Sequence, residues 1–86
     1  MKYKVFIYPS LMQKLEFIAN NYNYEVGGYI TGEVRDGEIL LKELLLPSQS
    51  VSGVHVDITP EAQIELRRKY GKKCFSILAH FHSHHS

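Results

Sequence analysis

The stretch EVGGYITGEVRDGEILLKELLLP, residues 25–47, decides the fold because it predicts two strands joined by a tight turn. Residues 25–34 have strand composition, and a glycine inside a strand often marks a bulge or a close backbone approach. Residues 35–37 form the turn, since Asp-Gly is a favoured hairpin pair. Residues 38–47 are leucine-rich and by composition alone would suit a helix, but the turn and the closing proline favour a strand buried on both faces. The glycines in question are Gly27, Gly28 and Gly32.

The flanking segments predict a single α/β (α+β) domain over residues 1–86, in the order strand, helix, strand, strand, strand, helix, strand. Ser10 and Gln13 have the spacing of a capping box at the start of the first helix. Thr59 is the expected cap of the second helix, with Pro60 at its first position. Around the hairpin we expect strands at 2–8, 54–58 and 74–81, helices at 11–22 and 60–70, and a loop at 48–53.

Composition and charge exclude several classes of function. Ten Lys and Arg against nine Asp and Glu leave a net charge of +1, so no global field draws the chain to nucleic acid or to acidic membranes. No apolar stretch approaches the roughly 20 residues of a membrane helix. The lone Cys74 cannot form an internal disulfide, which favours a reducing compartment, and we expect a cytoplasmic protein.

Four of the five histidines lie in residues 80–86. If the last strand continues, His80, His82 and His84 share one face. Residues two apart on a strand are separated by roughly 6.6 Å, which two imidazoles can bridge on one ion. His82 and His84 are therefore a candidate metal pair, whereas His80 lies too far along a straight strand to join them and is a packing or supporting residue. A purification tag and a tail without function are the alternatives.

Glu25, followed by two glycines, is the candidate partner of this pair. Zinc hydrolases combine histidine ligands and a bound water with a nearby glutamate as general base, because zinc lowers the pKa of the water to about 7 and the carboxylate takes the proton. The alternative is that Glu25 is a solvated acidic residue at a strand start.

The stretch from Glu25 to Gly32, then a hairpin, a strand, a helix and a hydrophobic strand that ends in His82-Ser83-His84, resembles the JAB/MPN (JAMM) metalloprotease domain. The resemblance follows the element order over all 86 residues and corresponds to about the first two thirds of that domain. It implies a mixed, curved sheet with two flanking helices in a cytidine-deaminase-like layering.

By this resemblance His82 and His84 are zinc ligands, and Glu25 is the acid/base that activates the zinc-bound water. The family motif continues to a serine and to an aspartate, the third protein ligand. Ser86 is too close to the histidines to be that serine. The resemblance therefore implies that the C-terminal part of the domain is missing, and we expect weak zinc binding and little turnover from the 86-residue chain. His85 stands where many members have proline, a variation associated with prokaryotic and phage-type members.

The resemblance further implies a protein or peptide substrate, since family members cleave isopeptide bonds to ubiquitin-like proteins or peptide bonds in prokaryotic processing. If Asp57 or His55 folded toward His82, either would complete the ligand set. A sheet without its C-terminal partners exposes an edge, so we expect a homodimer or a strand-exchanged oligomer.

Three other interpretations remain. A non-catalytic MPN-like scaffold would use the same fold to bind partners, although it has no need for Glu25 with both histidines. The basic run at residues 67–73 is either a phosphate-contacting patch or a solvated helix end that complements the helix dipole, and the balanced charge favours the latter. The third interpretation is that Cys74 is a nucleophile. A thiol at the start of an apolar strand is usually inert, which argues against this role.

Overall fold

The computed structural model describes residues 2–22, 25–47, 50–52, 55–57 and 60–83, with 50–52 and 55–57 described by their backbone alone. These residues form six strands, two α-helices and one 3₁₀ helix. The elements are β1 (Lys4–Ile7), α1 (Pro9–Asn21), β2 (Gly27–Arg35), β3 (Glu38–Leu45), β4 (Ser50–Ser52), β5 (His55–Asp57), α2 (Pro60–Tyr70), the 3₁₀ helix (Gly71–Ser76) and β6 (Ile77–His82).

Four strands form a mixed sheet in the order β1-β3-β2-β6. β1 runs parallel to β3, while β2 is antiparallel to both of its neighbours, β3 and β6. β4 and β5 pair with each other in a separate two-stranded sheet. The fold is therefore a small mixed α+β domain, as predicted at this level. Among the described residues, neither helix is both long and apolar enough to cross a membrane.

The β2–β3 hairpin is confirmed, and its backbone shows why this sequence forms it. Asp36 and Gly37 both have positive φ, 49° and 78°, which a two-residue hairpin turn of type I′ requires and which Asp and Gly tolerate better than most residues. The register of β2 shifts between Thr31 and Gly32, where a bulge lies. A β-carbon at Gly32 would lie 1.9 Å from the carbonyl oxygen of Leu40, so this position requires glycine. The predicted close backbone approach is thus present.

One face of the sheet packs against α1. The core is a cluster of aliphatic side chains from α1, from the two central strands and from the residue just before β2, and each such side chain contributes about 1.5–3 kcal/mol on burial. Its buried members are Leu11, Ile18, Val26, Ile30 and Leu44. Leu45, the next residue along β3, is completely buried on the opposite face. The sheet is thus covered on both sides at this end of β3.

Four details of the sequence prediction are wrong. The first helix begins at Pro9 with Tyr8 as N-cap, and no side chain caps it, because proline already favours the first helical position and needs no donor there. Most of β3 is only half-buried, since burial reaches both faces at its end alone. Ser50–Ser52 is a short strand rather than loop. The last strand begins at Ile77, after three residues in the 3₁₀ helix, and alternates between half-buried and exposed positions. Thr59 lies outside the described residues.

Candidate metal centre

The pairing of β2 with β6 assembles the candidate site. In the antiparallel ladder Gly27 is opposite His82, so the chain just before β2 meets the chain at the end of β6. Glu25 lies two residues before Gly27 and is therefore carried to His82.

Ser83 and Val26 fix this junction by hydrogen bonds in both directions. The Val26 amide donates to Ser83 Oγ at 2.9 Å, and the Ser83 amide donates to the Val26 carbonyl oxygen at 2.9 Å. The Ser83 hydroxyl also approaches the same carbonyl oxygen at 3.4 Å. The two residues adjacent to Glu25 and His82 are thus held together by main-chain and side-chain contacts, which restricts how far the site can open.

Glu25 and His82 are in direct contact. Glu25 Oε2 lies 3.3 Å from His82 Nε2, and the contact is an ion pair when the imidazole is protonated. The Glu25 side chain is only 10% exposed, whereas that of His82 is 42% exposed. Carboxylates are seldom this buried unless they have a partner. The site therefore combines an enclosed carboxylate with an imidazole open to solvent.

The alternation of side chains along β6 follows the prediction for the part that the structure describes. His80 and His82 are exposed on one face, while Ala79 and Phe81 pack against the core on the other. His80 contacts Tyr29 edge to face, with ring centroids 4.8 Å apart and planes at 85°. His80 is thus placed against an aromatic ring beside the site, consistent with a packing role. Sequence reasoning missed Tyr29 and Ser83, because only the ladder register brings them here.

Several of the residues predicted for the site lie beyond what the structure describes. His84, the second residue of the proposed metal pair, and His85 fall outside the described residues. Asp57 and His55 are described by backbone alone, in β5. Within the described part of the chain no group of three or more His, Cys, Asp or Glu side chains could hold a metal ion. The described residues therefore contribute one imidazole and one carboxylate to the site.

Two other groups are placed away from this site. Cys74 lies in the 3₁₀ helix rather than in a strand, is half-buried, and its Sγ is 3.8 Å from the carbonyl oxygen of Leu66. On β2 and β3, Glu33 accepts hydrogen bonds from Lys42 and Arg35. These two hydrogen bonds lower the pKa of Glu33 to about 2, and the bond from Lys42 has the larger effect.

No protein-family model matches the chain, and a search of the curated proteins finds no match either.

Proposed function

We propose that this chain carries a zinc-dependent peptidase site of the JAMM type, which hydrolyses peptide or isopeptide bonds. The observation that supports the proposal is the contact of the enclosed Glu25 carboxylate with His82, the first histidine of the His82-Ser83-His84 motif. The two residues come from distant parts of the chain, and a single ladder register brings them together.

The donor chemistry of the site suits zinc, which accepts imidazole nitrogen and carboxylate oxygen. In this proposal His82 and His84 hold the ion. When bound, zinc polarises the substrate carbonyl and lowers the pKa of a bound water to about 7. With two imidazoles and no third protein ligand among the residues described, we expect the affinity for zinc to be lower than that of a three-ligand site.

Glu25 is the proposed acid/base. Its Oε2 takes a proton from the attacking water and then gives the proton to the leaving amine, so that the carboxylate is regenerated and one water is added across the amide bond. Its position suits this role because the carboxylate is enclosed at the base of the site, held by the adjacent Val26–Ser83 contacts. The exposed side of His82 leaves room for a substrate on the solvent face.

The proposed substrate is a protein or peptide, and this class includes conjugates of ubiquitin-like proteins. The family resemblance in Glu25 and in the motif at 82–84 carries this part of the proposal. A non-catalytic scaffold, which would use the same fold to bind partners, is the second candidate.

Zinc titration by calorimetry separates the two candidates. We expect one zinc ion per chain, lost in His82→Ala and retained in Glu25→Gln. His80→Ala is the matched control, because His80 lies on the same strand and face but packs against Tyr29. Binding that survives in His82→Ala would refute the site, and no saturable binding in the parent chain would favour the scaffold.

Hydrolysis is tested on the same zinc-loaded proteins with peptides and with ubiquitin-like isopeptide conjugates. We expect Glu25→Gln to bind zinc and to lose cleavage, since the amide cannot take the proton. If the parent chain cleaves faster than free zinc does, an equal rate for Glu25→Gln would exclude Glu25 as the acid/base.

A further inference from the structure

Five cations lie close together in sequence where α2 ends and the 3₁₀ helix begins. All five are exposed. No acidic residue follows Glu65 in the sequence, so no negative charge interrupts the run. Below, the basic segment means residues 67–73, with the cations Arg67, Arg68, Lys69, Lys72 and Lys73.

Few of these cations are neutralised within the molecule. Lys73 pairs with Glu43 at 3.0 Å, and Lys69 lies 5.1 Å from the centre of the Tyr70 ring. Arg67, Arg68 and Lys72 have no ion pair among the residues that the structure describes. An exposed pair such as Lys73–Glu43 is weak and exchanges readily with another carboxylate. The basic segment therefore has positive charge available for a partner.

Phe75 lies two residues beyond the basic segment, in the same 3₁₀ helix, and is 91% exposed. It is the most exposed of the large hydrophobic side chains in the described residues. A phenyl ring with a large contact area thus stands in water beside a concentration of positive charge.

The dipole of α2 accounts for only part of this arrangement. Cations in the last helical turn complement the partial negative charge there, which suits Arg67, Arg68 and Lys69. Lys72 and Lys73 lie past the end of α2, and the dipole gives no reason for an exposed Phe75. The solvated-helix-end interpretation of the sequence therefore leaves the second half of the surface without an explanation.

We propose that the basic segment and Phe75 form a docking surface for a short acidic segment of a protein partner that carries one apolar side chain. Carboxylates pair with the cations, above all in the bidentate geometry that arginine offers, and the apolar side chain covers the phenyl ring. This proposal does not depend on the zinc site.

The size of the surface favours a peptide over a nucleic acid. From Arg67 to Phe75, four residues of α-helix and five of 3₁₀ helix span at most about 16 Å, which matches about five residues of an extended peptide. A nucleic acid would need a continuing track of cations, whereas the net charge of the chain is +1.

The surface lies at the opposite end of β6 from the candidate metal centre. The 3₁₀ helix leads directly into Ile77, and His82 is at the other end of the strand. At about 3.3 Å per residue the two ends are roughly 17 Å apart. A peptide on the surface would leave His82 and Glu25 uncovered, so peptide binding and zinc binding can be measured separately.

The test is fluorescence anisotropy with a labelled peptide of four glutamates around a central leucine. We expect saturable binding that weakens at least tenfold in the double variant Arg67→Glu, Arg68→Glu, since the loss of even one hydrogen bond to a charged group has about that effect. Phe75→Ser should weaken it about fivefold through lost apolar contact. The matched control is Lys2→Glu with Lys4→Glu, an equal charge change at exposed positions at or beside β1, on the other edge of the sheet.

Matched peptides and other anions give the results that would overturn the proposal. A peptide with glutamine in place of glutamate should not bind. A peptide with serine in place of leucine should bind the parent protein with the same reduced affinity that the leucine peptide has for Phe75→Ser. The proposal fails if the glutamine peptide binds equally well, or if the charge-reversed control loses as much affinity. It also fails if oligothymidylate or phosphatidylserine vesicles bind more tightly than the peptide and depend on the same residues.

Discussion

Replacing Gly32 by alanine would place a methyl carbon inside the backbone of the neighbouring strand. The added carbon would lie 1.9 Å from the carbonyl oxygen and 2.9 Å from the carbonyl carbon of Leu40. Real β-carbons essentially never come closer than 3.0 Å to such atoms, so β2 and β3 would have to separate locally by about 1 Å. A side chain could rotate away from such a clash, but a strand backbone in the centre of a sheet cannot.

The size of the effect follows from two contributions. Overpacking of a well-packed interior costs about 1–3 kcal/mol, and here the obstacle is rigid. Widening the ladder also weakens about two backbone hydrogen bonds, each worth about 1 kcal/mol. The expected loss is therefore about 3–5 kcal/mol. At 0.05–0.15 kcal/mol per residue the whole chain has about 4–13 kcal/mol of stability, so Gly32→Ala should remove about a quarter of it or more.

Urea denaturation, followed by far-ultraviolet circular dichroism and tyrosine fluorescence, measures this loss. Gly37→Ala is the matched control, because Gly37 has φ of +78° but no atom within 4 Å of an added β-carbon. It should lose only about 1–2 kcal/mol, from left-handed backbone strain. A free energy of unfolding for Gly32→Ala within about 1 kcal/mol of the parent chain would refute the assigned register of β2 against β3.

Three further predictions concern the site, the charges and the sheet edge. Ser83→Ala removes the acceptor for the Val26 amide and should lower the free energy of unfolding by about 1–2 kcal/mol in urea denaturation. Ser76→Ala, at an exposed position, should leave the free energy of unfolding almost unchanged. Equal losses in the two variants would contradict the assigned contact. Because the pKa of Glu33 is lowered to about 2, the contribution of its ion pairs to stability is present above pH 4.5 and is lost as the pH falls toward 2. Glu33→Gln should flatten the dependence of the unfolding free energy on pH in that window. An unchanged pH dependence would exclude the assigned partners. The outer edge of β6 should pair with a second copy to give a homodimer, and a strictly monomeric mass by sedimentation at high concentration would rule this out.

The sequence predicts those parts of the fold that depend on neighbouring residues. The β2–β3 hairpin follows from Asp36 and Gly37, whose preference for the turn is local. The two helices follow from hydrophobic periodicity over a few turns. The predicted N-cap, Ser10, is wrong because two local signals compete at adjacent positions. Pro9 at the first helical position determines the start of the helix, and the capping-box spacing of Ser10 does not.

The burial of a strand and its register against its neighbours cannot be predicted from neighbouring residues in the sequence. Whether β3 is covered on both faces depends on what packs against it, and only Leu44 and Leu45 at its end are buried. The contact of Tyr29 with His80 depends on the register of β2 against β6, which no local pattern specifies. Strand spacing predicts His82 and His84 as a pair, and the resemblance implies the role of Glu25. The contact of Glu25 with His82 brings two of these residues together without testing the chemistry.

The hydrogen bonds between Val26 and Ser83 join positions 57 residues apart. Closing a loop of that length requires about 4 kcal/mol of chain entropy, which only a largely folded chain can offset. The candidate centre should therefore be one of the last features to form, and a partly folded chain would lack it. Metal uptake would then report that folding is complete, and a hydrolase built this way would stay inert while its own backbone is still accessible to cleavage.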